Sequence, residues 1–81
     1  MYYVYVLQST KDKNLYTGHT GNIEERLLRH NSGSVKSTAC RRPFVLIHKE
    51  EFKTRPEARW RERKLKSAWG KKLLKRSLKI E

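Results

Sequence analysis

The sequence predicts an α+β domain with element order β-β-α-β-α-α, a small sheet packed with two or three helices. Three observations carry that prediction. The chain has 81 residues, a length that suits a single domain spanning 1–81; a domain of this size buries only about 60% of its unfolded surface, so its core must be compact. Three apolar runs of strand length, residues 2–8, Leu15 to Thr20 and Phe44 to His48, are separated by turn and helix signals. Two capping boxes, one from Asn22 to Glu25 and one from Thr54 to Glu57, each open a helical pattern.

The first run is apolar on both faces, with Tyr3, Tyr5 and Leu7 on one and Tyr2, Val4 and Val6 on the other. That pattern predicts a central strand covered from both sides. Ser9 to Asn14 is a polar turn with Lys11-Asp12-Lys13-Asn14 at its tip. Leu15 to Thr20 returns as the second strand of a hairpin. Gly18 within it marks a local bend or a close approach, for which a ligand phosphate and a packed helix are the candidates.

Asn22 caps the first helix, whose buried stripe carries Ile23 and Leu27. Arg26 and His30 are four residues apart and share a face beside that stripe. The helix is expected to end near Asn31, with Gly33 in the left-handed position past it. Residues 32–42 form a loop whose Ser, Thr and Gly residues, with Lys36, Arg41 and Arg42, suit contacts to a phosphate backbone and equally suit an exposed connector. Pro43 opens the third strand, and its continuous apolar run predicts cover on both faces. The second helix starts at the Thr54 cap with Pro56 in its first turn. It is expected to reach Trp69 and stop at Gly70. Lys71 to Glu81 reads as a short basic helix docked by Leu73, Leu74, Leu78 and Ile80, ending in a frayed tail.

Twenty Lys and Arg against eight Asp and Glu leave a net charge of +12. Such an excess points to nucleic acid, since each phosphate contacted releases condensed counterions. No run approaches the roughly 20 apolar residues of a membrane span. Met1 leads directly into a strand, so no signal peptide is expected. The one cysteine, Cys40, excludes an internal disulfide and a Cys-based zinc cluster. The expected compartment is cytoplasmic.

Glu62 is out of place. At helical steps it falls on the stripe of Ala58, Leu65 and Trp69, and a carboxylate on a buried face is costly unless paired or metal-bound. Three explanations compete: a structural salt bridge, a helix rotated to leave Glu62 at a boundary, or a cleft in which it holds a cation. No other carboxylate shares its site by sequence. This argues against a two-metal nuclease and leaves room for one Mg²⁺ held by one carboxylate, waters and a substrate phosphate. Tyr5 and Tyr16, brought together across the hairpin, place two phenols near Arg26, a set that phosphate chemistry can use; all four tyrosines equally suit a small β-rich core.

With these residues in order, the chain resembles the GIY-YIG nuclease superfamily, and among its members the small stand-alone bacterial ones. Tyr3-Val4-Tyr5 stands at the first signature triplet and Tyr16-Thr17-Gly18 at the second. Arg26 and His30 match the arginine and histidine of the first helix, and Glu62 the metal-binding glutamate. Residues 29–43 and 62–66 also look like the small subgroup. The resemblance implies a three-stranded, mainly antiparallel sheet flanked by helices. It implies metal-dependent hydrolysis of DNA with one Mg²⁺ or Mn²⁺ on Glu62. Arg26 would stabilise charge on the phosphate, Tyr16 or secondly Tyr5 would act as general base, and His30 would be a relay. His19, Lys36, Arg41, Arg42 and Lys66 are the expected nucleic-acid contacts. His19 stands where repair members often carry a lysine. A single domain of this length is expected to lack a second one to read sequence, so weak specificity or selectivity for nicked, branched or single-stranded DNA is expected. The competing functions are a nucleic-acid-binding module with slow or absent cleavage and a ribosome-associated basic protein.

Overall fold

The computed structural model describes residues 1–36 and 38–79. Its sheet has three strands in the order β2-β1-β3: β1 (Tyr2–Ser9) lies between β2 (Leu15–Thr20) and β3 (Phe44–Phe52), antiparallel to both. The helices are α1 (Ile23–Ser32), α2 (Arg55–Lys66) and α3 (Ala68–Leu78). The α+β architecture and element order are those the sequence predicts.

The two apolar faces of β1 organise the packing. Val4 and Val6 are fully buried against Ala58 and Leu65 of α2 and Leu74 of α3. On the opposite face, Tyr5 and Leu7 are buried with Phe44, packed by Ile23 and Leu27 of α1. The sheet is therefore a middle layer, and β1 is its covered strand.

Local signals start each helix where the sequence places them. Asn22 accepts a hydrogen bond from the Glu25 amide at the start of α1. Thr54 accepts from the Glu57 amide, and its hydroxyl donates to the Glu57 carboxylate at 2.8 Å. At the far end of α1, Gly33 has φ 83°, the left-handed closure expected of a glycine there. The helix takes in Ser32, and a short 3₁₀ turn at Ala39–Arg41 lies within the stretch expected to be loop.

Several expectations are corrected. β3 is an edge strand that is packed on both faces but only partly covered: Phe44 and Leu46 join the cluster under α1, Ile47 and Phe52 the cluster under α2 and α3, yet Phe44 is its one buried residue and Val45 is 47% exposed. A continuous apolar run announces a strand, but whether a layer covers each face depends on how many elements there are to do it. The second helix does not reach Trp69. It ends at Lys66, where Ser67 turns the chain and caps α3 by accepting from the Gly70 amide at 3.0 Å. Gly70 therefore lies inside α3, and a Cβ there would run into the Lys64 carbonyl, so the glycine permits the tight α2–α3 junction rather than stopping a helix. Trp69, placed by periodicity on the buried stripe, is 68% exposed because that junction breaks the helical phase. Leu74 and Leu78 dock α3, whereas Leu73 is exposed. Ile80 and the expected frayed tail lie outside the described residues, as does Ser37 of the loop.

Candidate functional site

The site begins with strand register. Tyr5 of β1 faces Gly18 of β2 across the ladder, so the Tyr5 phenol runs over a residue with no side chain. A Cβ at Gly18 would stand 2.5 Å from the Tyr5 hydroxyl. The neighbour that Gly18 makes room for is this phenol, not a packed helix. Tyr16 is two residues earlier on the same face, and its ring centroid lies 6.3 Å from that of Tyr5.

Helix α1 adds the next two groups. His30 is fully buried, with its ring 4.8 Å from Tyr16 and 5.9 Å from Phe44, centroid to centroid. Its Nε2 lies 3.2 Å from the Tyr5 hydroxyl and its Nδ1 2.9 Å from the Thr38 hydroxyl. Thr38 donates its proton to the Val35 carbonyl at 3.3 Å, so toward His30 it accepts. That assigns the proton to Nδ1 and leaves Nε2 to accept from the Tyr5 O–H. Burial, followed by the Arg26 and Arg29 charges, holds the His30 pKa below its ordinary value, in keeping with a neutral imidazole. Burial also lifts the Tyr5 phenol above its ordinary range, against the opposing pull of the Arg26 guanidinium beside it. Arg26 Nε is buried and has no hydrogen-bond partner among the described residues. A buried N–H without an acceptor is costly, so the guanidinium beside the Tyr5 phenol holds a donor in need of an oxygen.

Glu62 approaches from the other layer. His19 pairs in register with Val4 and so faces α2, where its Nδ1 contacts Glu62 Oε1. The second carboxylate oxygen takes Lys66 Nζ at 2.6 Å, one turn along the helix. The Glu62 side chain is 15% exposed, at the boundary of the core rather than within it. Burial works to raise its pKa, but the hydrogen bonds and charges of Lys66 and His19 outweigh it and hold the carboxyl below the ordinary value. Its charge also reaches the Tyr5 phenol and disfavours the phenolate. Two of the three explanations for this glutamate thus hold together: it is paired, and it sits at a boundary.

Among the described residues there is no group of three or more His, Cys, Asp or Glu able to hold a metal ion. The donor set at Glu62 is one hard carboxylate flanked by the Lys66 ammonium and the His19 imidazole. That suits a magnesium-like ion, which keeps several waters and takes one or two carboxylates plus substrate phosphate, and it does not suit an all-protein cage.

The structure brings Tyr5, Tyr16, Arg26 and His30 together on one face of the sheet, with His19, Glu62 and Lys66 joined on the other side. Two of the remaining expected contacts have partners of their own. Arg41 pairs with Asp12 at 3.2 Å and Arg42 donates to the Ser32 carbonyl, while Lys36 is exposed. Thr38 falls within the stretch that resembles the small subgroup, but no role is expected of it from sequence; in the fold it fixes the His30 ring. The signal available was indirect: a histidine buried at a helix end needs a partner on each nitrogen, and the following loop is rich in hydroxyls.

These features define a class. A family model described as the GIY-YIG catalytic domain matches residues 1–75, and the chain belongs to that family of nucleases, which act on nucleic acid with divalent metal ions. Its relatives are narrower. It is 45% identical over 67 residues to UPF0213 protein SH2523 of Staphylococcus haemolyticus, covering 82% of this chain and 80% of that one. It is 41% identical over 75 residues to UPF0213 protein SSP2268 of Staphylococcus saprophyticus, covering 91% and 90%. The solution NMR structure of UPF0213 protein BH0048 from Bacillus halodurans matches with a TM-score of 0.54 at 37% identity, over 91% of this chain and 82% of that chain. Among the described residues no helix is long and apolar enough to cross a membrane.

Proposed function

We propose that this chain acts, as one domain, as a small metal-dependent DNA endonuclease with weak sequence preference. The observation that carries the reading is the buried, unpartnered Nε of Arg26, whose guanidinium lies beside the Tyr5 phenol, itself packed against Tyr16. A scissile phosphate oxygen would satisfy that donor, and a guanidinium placed where charge develops contributes most in the transition state. Mg²⁺ or Mn²⁺ on Glu62 would supply charge neutralisation at the phosphate and a more acidic bound water. Tyr16 is half-buried, whereas Tyr5 is 1% exposed. Tyr16 is therefore the phenol that water and substrate can reach, and it serves as general base or orients the attacking water. Tyr5 and His30 form the inner hydrogen-bonded pair that holds the site and drains a proton toward the imidazole Nε2. Hydrolysis breaks the P–O bond to the sugar oxygen, which departs as an alcohol with a proton from solvent, and leaves the attacking water's oxygen on phosphorus, that water's proton passing to Tyr16 in its phenolate form. A place in DNA repair or recombination fits such an activity.

A second reading, a binding module with slow or absent cleavage, is favoured by one observation: both Glu62 oxygens already have side-chain partners, Lys66 and His19. Plasmid nicking in Mg²⁺ separates the two. Nicking by the wild type that is lost in Glu62→Gln and Arg26→Ala supports the nuclease. DNA binding without nicking at any Mg²⁺ or Mn²⁺ concentration supports the module.

A further inference from the structure

Trp60 stands on the outer face of α2 and is 61% exposed. Lys64 Nζ sits 4.8 Å from its ring centroid, and a shallow hollow lined by Pro56, Arg59 and Arg63 opens beside it. At 100° per residue, Trp60 lies about 160° round the helix from Glu62. The positions between them on one flank are Arg63, then Arg59, then Lys66, all exposed. Neither Arg59 nor Arg63 has an ion-pair partner among the described residues. A helix is about 10–12 Å across, so this arc is roughly 15 Å long, the reach of a few nucleotides. The other exposed tryptophan differs: Trp69 lines a cleft with Glu50, whose carboxylate, bound by Arg61 and His48, opposes a phosphate.

We propose that Trp60 and the arc of Arg63, Arg59 and Lys66 form a track for single-stranded nucleic acid, with one base stacked on the indole and the backbone led round α2 toward Glu62. An exposed indole with Lys64 over its ring and Arg59 and Arg63 on one flank, Glu57 and Phe52 lining the other, suits an unpaired base, because stacking needs a π-face and duplex bases are already stacked. The proposal names the substrate form of the nuclease proposed above, and it depends on that reading only for the direction in which the strand is led.

Binding measured in EDTA keeps the two readings apart. The test is fluorescence anisotropy of a labelled oligo(dT) and of a matched duplex, with wild type, Trp60→Ala, Trp60→Phe and Trp69→Ala. Trp60→Ala is expected to weaken single-strand binding about tenfold, Trp60→Phe to retain most of it, and Trp69→Ala to match wild type. Duplex binding should change less than about threefold in all. Arg59→Ala with Arg63→Ala should lower the slope of log affinity against log salt by roughly 1.4 for the single strand. Unchanged oligo(dT) affinity in Trp60→Ala, an equal loss for duplex, or no nucleic-acid binding by wild type would each overturn the track. Trp60-dependent binding without nicking in Mg²⁺ would overturn the nuclease and leave the track standing. Trp60 is exposed, so its replacement does not threaten the fold, and circular dichroism verifies this.

Discussion

The Tyr5 hydroxyl and His30 Nε2 lie 3.2 Å apart in a fully buried contact that joins the central strand to the first helix. Thr38 closes the other side of the ring. Removing the phenol oxygen leaves the imidazole nitrogen buried without a partner. Tyr5→Phe is therefore expected to lose about 1–3 kcal/mol of stability, read by urea denaturation. It should also slow nicking by about 100-fold or more. Thr38→Val should slow nicking by letting the imidazole change tautomer, and Thr38→Ser should restore it. Equal rates for Thr38→Val and wild type would show that the tautomer is not used.

Glu62→Gln keeps the shape of the side chain and removes its charge. Metal-dependent nicking should disappear while DNA affinity holds or rises, because one negative charge has left a basic surface. The loss in stability should be small, about 0.2–1 kcal/mol, since the Lys66 partner is 49% exposed and solvent screens the pair. Gel shift and thermal melting on the same preparation check all three expectations.

Stability should depend on pH in two phases. The His30 pKa is depressed in the folded state, by burial first and then by the Arg26 and Arg29 charges. Between the depressed value and the ordinary value of 6.5, the unfolded chain binds more protons than the folded one. The histidine contribution is therefore complete above the ordinary value and is lost as pH falls from there through the depressed value. Glu62 and Glu50 also have lowered pKa values. Glu62 is lowered by Lys66 and His19 against the opposing effect of burial, and Glu50 chiefly by the Arg61 hydrogen bond. Their contribution is complete above the ordinary value of 4.5 and is lost below it as pH falls through their lowered values. The melting temperature should hold from pH 8 to about 7, drop through the histidine range, and drop again in the carboxylate range. In His30→Gln the first drop should be absent.

Two glycine substitutions should separate site from scaffold. Gly18→Ala places a methyl against the tip of the Tyr5 side chain, so the phenol must move. Nicking should fall more than stability does. Gly70→Ala places the methyl against the Lys64 backbone, which cannot yield without opening the α2–α3 junction. It should cost stability by about 1–3 kcal/mol, the range for overpacking, with Trp69 fluorescence reporting the altered junction.

The order of elements, the caps at Asn22 and Thr54 and the central position of β1 were legible in the chain. Strand alternation and capping boxes are set by neighbours within about four residues, so they can be read without knowing what packs where. The family triplets and Glu62 were legible for the same reason, as residue types at fixed places in short elements. The exposed edge of β3, the turn at Ser67 that puts Trp69 outside and Gly70 within a helix, the pairing of Glu62 with His19, and the Thr38 hydroxyl on His30 were not. Each of these depends on contact between elements far apart in sequence. Such contacts decide which of several locally acceptable faces is covered and which of several nearby groups completes a hydrogen bond, and only the folded arrangement supplies them.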